Sequence, residues 1–376
     1  MSRIYLPNAS QFDEMNVNLA KIANALGSDI DISTWAGIQK AVRVGVAPDL
    51  IPVGTQLLVS HSVYGDMLYD VVAHNYYKSA HNANAYTMTL MCHDCLPTMR
   101  FDSPEAFYKA GSSGLGAGVY CFTNPLDYET IPVGTLSFTV PYSLPPNCVL
   151  RVERDSSTGQ ITCLCYASQT SIEPTVSMQV SVSNSGTNLG TLGVELNHLH
   201  RVIHGSNNYK ESSIRQWLNS SAVAGSVWSP QTKFDLPPSW VTSTAGFMNG
   251  LDEDFISVVG EVVVPCSANN LYESPDSTTK VGEKYTVTDR FYLASQSEIF
   301  GEKSNIIDDG SVLFPYYMGA TNADRIKYHN GLATVCWLRS AYAQTTSIVR
   351  FVHEDGRLYN DGARGNHGVV PVCTIV

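Results

Sequence analysis

From about residue 50 the apolar residues of this chain recur at every second position or in short runs, punctuated by Gly, Pro, Asn and Ser. That spacing puts alternate side chains on one face of an extended backbone, so it calls for strands with one or both faces buried. Leu57-Leu58-Val59, Met67 to Val72 and Tyr86 to Met91 read as the first three. Between residues 106 and 190 the chain is rich in Ser, Thr, Gly and Val, with almost no helical pattern. There Val119 to Phe122, Leu136 to Val140, Val149 to Val152 and Val176 to Val180 read as strands of a small β-sandwich. Ile51-Pro52-Val53-Gly54-Thr55 recurs at 131–135. A shared turn-into-strand solution, with Pro and Gly setting the turn, explains the repeat more simply than duplication.

Helical spacing is confined to short pieces. Phe12, Met15, Leu19, Ile22 and Leu26 form an a/d seam over two heptads, with Asn8 or Ser10 to cap it and Gly27 to end it. Two readings stand for this helix: packing on its own domain, or a parallel bundle joining identical chains. Two heptads are marginal alone, so a bundle needs support from the rest of the protein. A second helix is expected from a Ser33 or Thr34 cap, with Trp35, Ile38, Ala41 and Val42 on one face and Gly45 as stop. Further on, Ser212 to Asn219, Asp252 to Val259 and Ser295 to Gly301 look helical, the last with the Ser295/Glu298 spacing of a capping box. Strands and helices together predict an α+β chain.

The composition supports a packed core, with 44% hydrophobic and 15% charged residues in 376, and argues against disorder. A net charge of −11 argues against nucleic acid or an anionic membrane as partner, since both need a basic footprint. No apolar run is long enough for membrane insertion, and the start shows no apolar core of a secretory signal. The nine cysteines are then expected as reduced thiols. Cys92-His93-Asp94-Cys95 has the spacing of half a zinc or redox site, but Cys163 and Cys165 are too close together to supply the other half, so buried thiols are the expectation. His198-Leu199-His200 with His204 is the best metal-like cluster, yet no carboxylate stands in it. Asp252/Asp254 and Asp308/Asp309 do not match a calcium loop, and no phosphate loop, nucleophile elbow or His-Glu-x-x-His occurs. Cys336 and Cys373 could meet as a thiol pair, but nothing nearby marks either as activated. Neither catalytic residue, metal nor cofactor is expected.

The tail from Trp337 to Val376 is the informative part. Asp355-Gly356 is a turn signal between two strand-like runs, and Tyr, Ser, Asn, Gly, Arg and His cluster around it, with four arginines against three acids. That mixture resembles a paratope, in which aromatics anchor and small polar groups adapt. An ordinary surface hairpin has the same composition.

Trp337-Leu338-Arg339-Ser340, Val349-Arg350, Asp355-Gly356 and Gly368-Val369-Val370-Pro371 resemble the C-terminal block of a phage and prophage family from gut Firmicutes. Tyr209 to Asn219 and Tyr292 to Gly301 look like two earlier blocks of that family. Thr34 to Gln39 and Val63 to Asp66 look like its phage-encoded N-terminal part. Ala341 stands where the family block commonly has proline. The resemblance implies a C-type-lectin-like domain of the formylglycine-generating-enzyme subtype. It would be laid out as a 1–47 attachment or trimerisation segment, a 48–105 first part, a 106–190 inserted β-sandwich and a 191–376 main part. Several members are targets of diversity-generating retroelements, which randomise adenines of a template on the way into the gene's 3′ end. An AAC asparagine codon randomised at its first two bases can give Tyr, Ser, Gly, Asp, His, Thr, Ile or Arg. It cannot give Lys, Glu, Gln, Met or Trp. Thr345, Ser347, Ile348, His353, Tyr359, Asp361, Gly362, Arg364, Gly365 and His367 all fall in the reachable set, whereas Gln344 and Glu354 do not.

The resemblance therefore implies a non-enzymatic tail-tip adhesin of a phage virion, a homotrimer assembled in the host cytoplasm beside other phage tail proteins. It would display a variable patch over 337–376 to a bacterial surface protein or glycan. The expected patch comprises Tyr342, Thr345, Ser347, His353, Arg357, Tyr359, Asp361, Arg364, Asn366 and His367. Tyr342 and Tyr359 would anchor, and Arg357 and Arg364 would contact polar or anionic groups. A patch that tolerates substitution needs its scaffold held elsewhere, so Val349, Phe351, Val352 and Leu358 should point inward. The alternatives are a structural tail or baseplate protein without a variable site, and an enzyme of the formylglycine-generating type.

Overall fold

The computed structural model describes residues 30–103, 108–109, 118–121, 136–140, 148–154, 161–167, 177–184, 186–197, 205–229, 237–269, 282–343, 345 and 347–376. The N-terminal a/d seam, the second copy of the Ile-Pro-Val-Gly-Thr pentapeptide and the His198/His200/His204 cluster lie outside them.

Helix α1 (Trp35–Arg43) begins where Thr34 caps it, its hydroxyl accepting from the Gly37 amide at 3.1 Å. Ile38, Ala41 and Val42 form its buried face, and Lys40 and Arg43 sit at the C-terminal, negative end of its dipole. Gly45, at φ +78°, turns the chain into the single turn α2 (Ala47–Leu50). Strands β1 (Gln56–His61), β2 (Gly65–His74), β3 (Met88–Cys92) and β4 (Leu96–Arg100) follow. The next seven are β5 (Tyr108–Lys109), β6 (Gly118–Cys121), β7 (Leu136–Val140), β8 (Cys148–Arg154), β9 (Ile161–Ala167), β10 (Ser177–Asn184) and β11 (Thr187–Asn197). They join in one sheet of order β5-β8-β9-β11-β10-β7-β6. The expected inserted sandwich is thus corrected to a single sheet. Two strands that were not expected, β9 and β11, pair in parallel and join its two halves.

Beyond the insert come α3 (Ser213–Leu218), α4 (Glu253–Val258), the hairpin β12 (Val262–Asn269) and β13 (Gly282–Asp289), β14 (Phe291–Tyr292) and α5 (Gln296–Phe300). The small hairpin β15 (Lys327–His329) and β16 (Leu332–Thr334) precedes the tail strands β17 (Cys336–Ala341), β18 (Ile348–Val352), β19 (Leu358–Gly362), β20 (Asn366–Val369) and β21 (Val372–Ile375). Two five-stranded sheets organise this part, ordered β1-β2-β3-β21-β14 and β19-β18-β17-β20-β4.

The expected α+β class is overturned: the protein is mainly β. All three helices expected after residue 190 form, but each is only one or two turns long, too short to make a layer. In α5 the capping box is complete, with Ser295 and Glu298 exchanging bonds and Gly301 in the left-handed conformation as stop.

Helices and sheet meet in an aromatic core. Phe291 lies 5.1 Å from Phe247 and 6.3 Å from Phe255, and Trp217 lies 5.4 Å from Phe247, at the tilted or edge-on angles that aromatic rings prefer. All four are buried. The second sheet carries the tail strands β17 to β20 and hence the site. β20 runs parallel to β17, with Cys336 opposite Gly368, and antiparallel to β4, with Asn366 opposite Arg100. Residues near 100 and near 366 are thereby placed side by side.

Candidate functional site

The tail strands differ in depth. Every residue of β17 is buried, and so is all of β18 but its first, including Val349, Phe351 and Val352. The edge strand β19 exposes Tyr359, Asn360 and Asp361, and its Leu358 is half-buried. The β18–β19 connection turns at Gly356, with the His353 amide donating to the Arg357 carbonyl at 2.8 Å. Gly356 has φ +77°, and a Cβ there would fall 1.7 Å from the Asn322 carbonyl oxygen, so the turn admits no side chain. Asp355 caps this turn; the Arg357 amide, donating to it, holds its carboxyl below the usual range.

Strand β17 is pinned by buried ion pairs of Arg339, the closer with Glu298 and a longer one with Asp309 at 3.7 Å. The Arg339 guanidinium meets the Glu298 carboxylate in a two-pronged pair at 2.6 and 2.8 Å, both side chains fully enclosed. Its remaining N–H groups reach the Leu293 carbonyl, the Pro265 carbonyl and the Ser311 hydroxyl at 2.7, 3.0 and 3.0 Å, so all five donors are used. The Tyr77 hydroxyl donates to Glu298 from the other side. Arg350 is buried as well, donating from Nε to Gln296 at 2.8 Å beneath the Tyr342 ring.

The ten residues expected in the patch divide. Arg357, Tyr359, Asp361, Arg364 and Asn366 are exposed. His353 is half-buried, its ring 4.9 Å from Tyr359 and its Nδ1 3.0 Å from Asp355. Tyr342 is half-buried over Arg350. His367 lies deeper than a freely mutable position would. Its ring centre is 4.2 Å from Trp337 and 4.8 Å from Phe351, and Nε2 reaches Asp361 at 3.0 Å. Burial lowers its pKa below the ordinary 6.5, against the pull of Asp361. Thr345 and Ser347 are corrections to the outward-facing patch: they are 7% and 1% exposed. Their loop is drawn inward because the Asn207 side-chain amide donates to the Thr345 and Ile348 carbonyls at 2.7 and 3.0 Å, while the Ala363 amide donates to Ser347 O at 2.7 Å. Asn207 lies far away in sequence, so no local pattern announces that clamp.

Beside β19 an open groove of about 590 Å³ is lined by Arg100, Ser347, Ile348, Asp361 and Arg364, with Gly362 and Gly365 at the turn. Arg100, brought in by the β20–β4 pairing, is the groove residue missed from sequence.

The described thiols are free and buried as expected, but Cys336 has Cys95 rather than Cys373 beside it. Cys336 lies beside Cys95, which reaches it over Gly368, where a Cβ would be 3.0 Å from the Cys95 sulfur; Cys373 neighbours Cys92. Cys92, Cys95, Cys266, Cys336 and Cys373 are free and buried. Burial pushes the Cys92 and Cys266 thiols up to about 12 and raises Cys373, while the contact with Cys336 raises Cys95. Among the described residues no three His, Cys, Asp or Glu side chains converge as a metal site would require, and no helix is long and apolar enough to cross a membrane.

The chain belongs to a family described as a domain of unknown function, DUF6273, which matches residues 182–376, just over half of its length. The match covers β12 to β21 and therefore the whole tail. No curated protein and no solved structure matches the chain.

Proposed function

We propose that this protein is a receptor-binding protein of a phage tail, whose C-terminal patch, diversified by a retroelement, engages ligands on a bacterial surface. The observation that carries the reading is the split within one sheet. Strands β17 and β18 are buried and held by the Arg339–Glu298 pair, while β19 and the turns around it present Arg357, Tyr359, Asp361, Arg364 and Asn366 to solvent. A scaffold anchored this way leaves the outer side chains free to change, because substitutions of exposed residues seldom move stability by more than about 0.5 kcal/mol. Tyr359, Arg357 and Arg364 have the character of interface anchors. The role is binding, not catalysis; the raised thiol pKa values support it, since protonated thiols are poor nucleophiles. As a homotrimer displayed beside other tail proteins on the virion, the protein would turn weak single-site contacts into avidity.

The test joins genetics to adsorption. Gene 3′ ends from sister phages should differ at codons for exposed residues such as 359 and 364 and stay uniform at those for 339, 349 and 351. A uniform tail makes this a structural tail protein instead. Replacing Arg357, Tyr359 and Arg364 together by Ala should abolish adsorption to the host while leaving melting nearly unchanged. Light scattering should give about three times the 41.0 kDa chain mass, and a monomer at micromolar concentration defeats the trimer.

A further inference from the structure

The groove beside β19 carries two arginines that the fold does not use. Arg100 is half-buried in β4 and Arg364 exposed in the turn before β20. Among the described residues neither guanidinium has a hydrogen-bond or ion-pair partner. The carboxylate within reach is otherwise engaged: Asp361 accepts from the Gly362 amide at 2.7 Å and meets His367 Nε2 at 3.0 Å. A Cβ on Gly365 would lie 2.5 Å from that carboxylate, so the glycine is what lets it sit there. With His367 neutral near pH 7, the described lining residues hold two positive charges against one negative, on a chain whose net charge is −11. Ile348 is the one large apolar side chain among the described lining residues. The volume falls in the range of about 300–1,000 Å³ usual for small-molecule sites.

We propose that this groove is a subsite for an acidic sugar, with a carboxylate or phosphate of a surface saccharide held between Arg100 and Arg364 and its hydroxyls donating to Asp361. The inference rests on the binding role proposed above and names the chemistry of its ligand. Guanidinium forks match pairs of oxygens on a carboxylate or a phosphate, and a half-buried, unpartnered Arg100 is already partly stripped of water for that contact. The polar side chains Arg100, Arg364, Asp361 and Ser347 in the lining give a hydroxyl-rich ligand hydrogen-bond partners that an apolar peptide side chain could not use. Arg100 lies outside the tail, so the preference for an anion is built into the scaffold, and residue 364 tunes it.

Calorimetric titration of the full chain with glucuronate, glucose 6-phosphate, glucose and inorganic phosphate tests this. Both acidic sugars should bind tighter than glucose by roughly tenfold or more, the worth of one charge-assisted hydrogen bond. The tighter of the two tells carboxylate from phosphate as the natural group. Arg100→Gln and Arg364→Gln should each weaken binding by about the same factor with melting unchanged. Four results overturn the proposal: glucose binding as well as glucuronate, inorganic phosphate matching glucose 6-phosphate, unaltered binding by Arg100→Gln, or a tetra-aspartate peptide binding tighter than either sugar. Cell adsorption by the same proteins separates the two claims. If cells are bound through Arg357 and Tyr359 while the sugar titrations are blank, the acidic-sugar subsite alone falls. If acidic sugars bind and no bacterial cell does, the host-recognition role falls.

Discussion

Arg339 and Arg350 lie in β17 and β18 with their guanidiniums inside the protein, whereas Arg357 and Arg364 lie in turns of the same tail with theirs in solvent. The first two are 1% and 6% exposed, and Arg339 spends every N–H on a protein acceptor. Arg357 meets only Asp355, at 3.8 Å with both groups wet, and such a pair contributes little. A residue type therefore says nothing about role here; the number of partners does. Where an arginine answers to several other elements, its replacement breaks the fold, and where it answers to none it is free to serve a ligand.

The largest expected effect comes from the inner pair. Arg339→Met leaves Glu298 charged and enclosed, and should cost about 3–5 kcal/mol in urea unfolding. A cost under 1 kcal/mol would mean that the two arginine classes do not differ. Gly356→Ala comes next, at about 2–4 kcal/mol, since it strains a left-handed turn and drives a methyl into the Asn322 carbonyl. Ser347→Tyr should cost about 1–3 kcal/mol, since a nearly enclosed serine at the groove's edge leaves a larger side chain to displace its neighbours, although tyrosine is reachable from an asparagine codon. Sister genes should accordingly lack bulky residues at 347 while tolerating them at 359.

Acid sharpens the comparison further. Burial lowers the pKa of His61, His74 and His367 below 6.5. Between the folded and unfolded values the unfolded chain binds more protons, so their contribution is full above about pH 6.5 and is lost as pH falls through the folded values. Thermal melting from pH 7.5 to 5 should show that decline, and His367→Gln should flatten part of it. The smallest effect belongs to the outer pair: Arg357→Ala and Arg364→Ala should each stay within about 0.5 kcal/mol of the parent.

Local chemistry made much of this legible. The Thr34 cap, the Ser295/Glu298 box and the Asp355-Gly356 turn are decided by neighbours three or four residues apart, and each forms where the sequence places it. The inward pull on Thr345 and Ser347 was hidden because it depends on Asn207. Arg100 escaped notice because its place in the groove follows from pairing with Asn366. His367 read as a surface residue because its neighbours are polar, yet the register of β20 lays its ring against Trp337. The α+β reading failed on length: the helices were found, but segments of five or six residues cannot form a layer.

Strand β21 sits between β3 and β14 in the first sheet, every residue of it buried, and the Val376 carbonyl accepts from Gln39 and Arg43 of α1. Ribosomes therefore make an interior strand of that sheet after the exposed strand β19 and its turns have been translated. Losing β21 to a frameshift or premature stop upstream of it deprives β3 and β14 of their shared neighbour, so such copies should fail to fold.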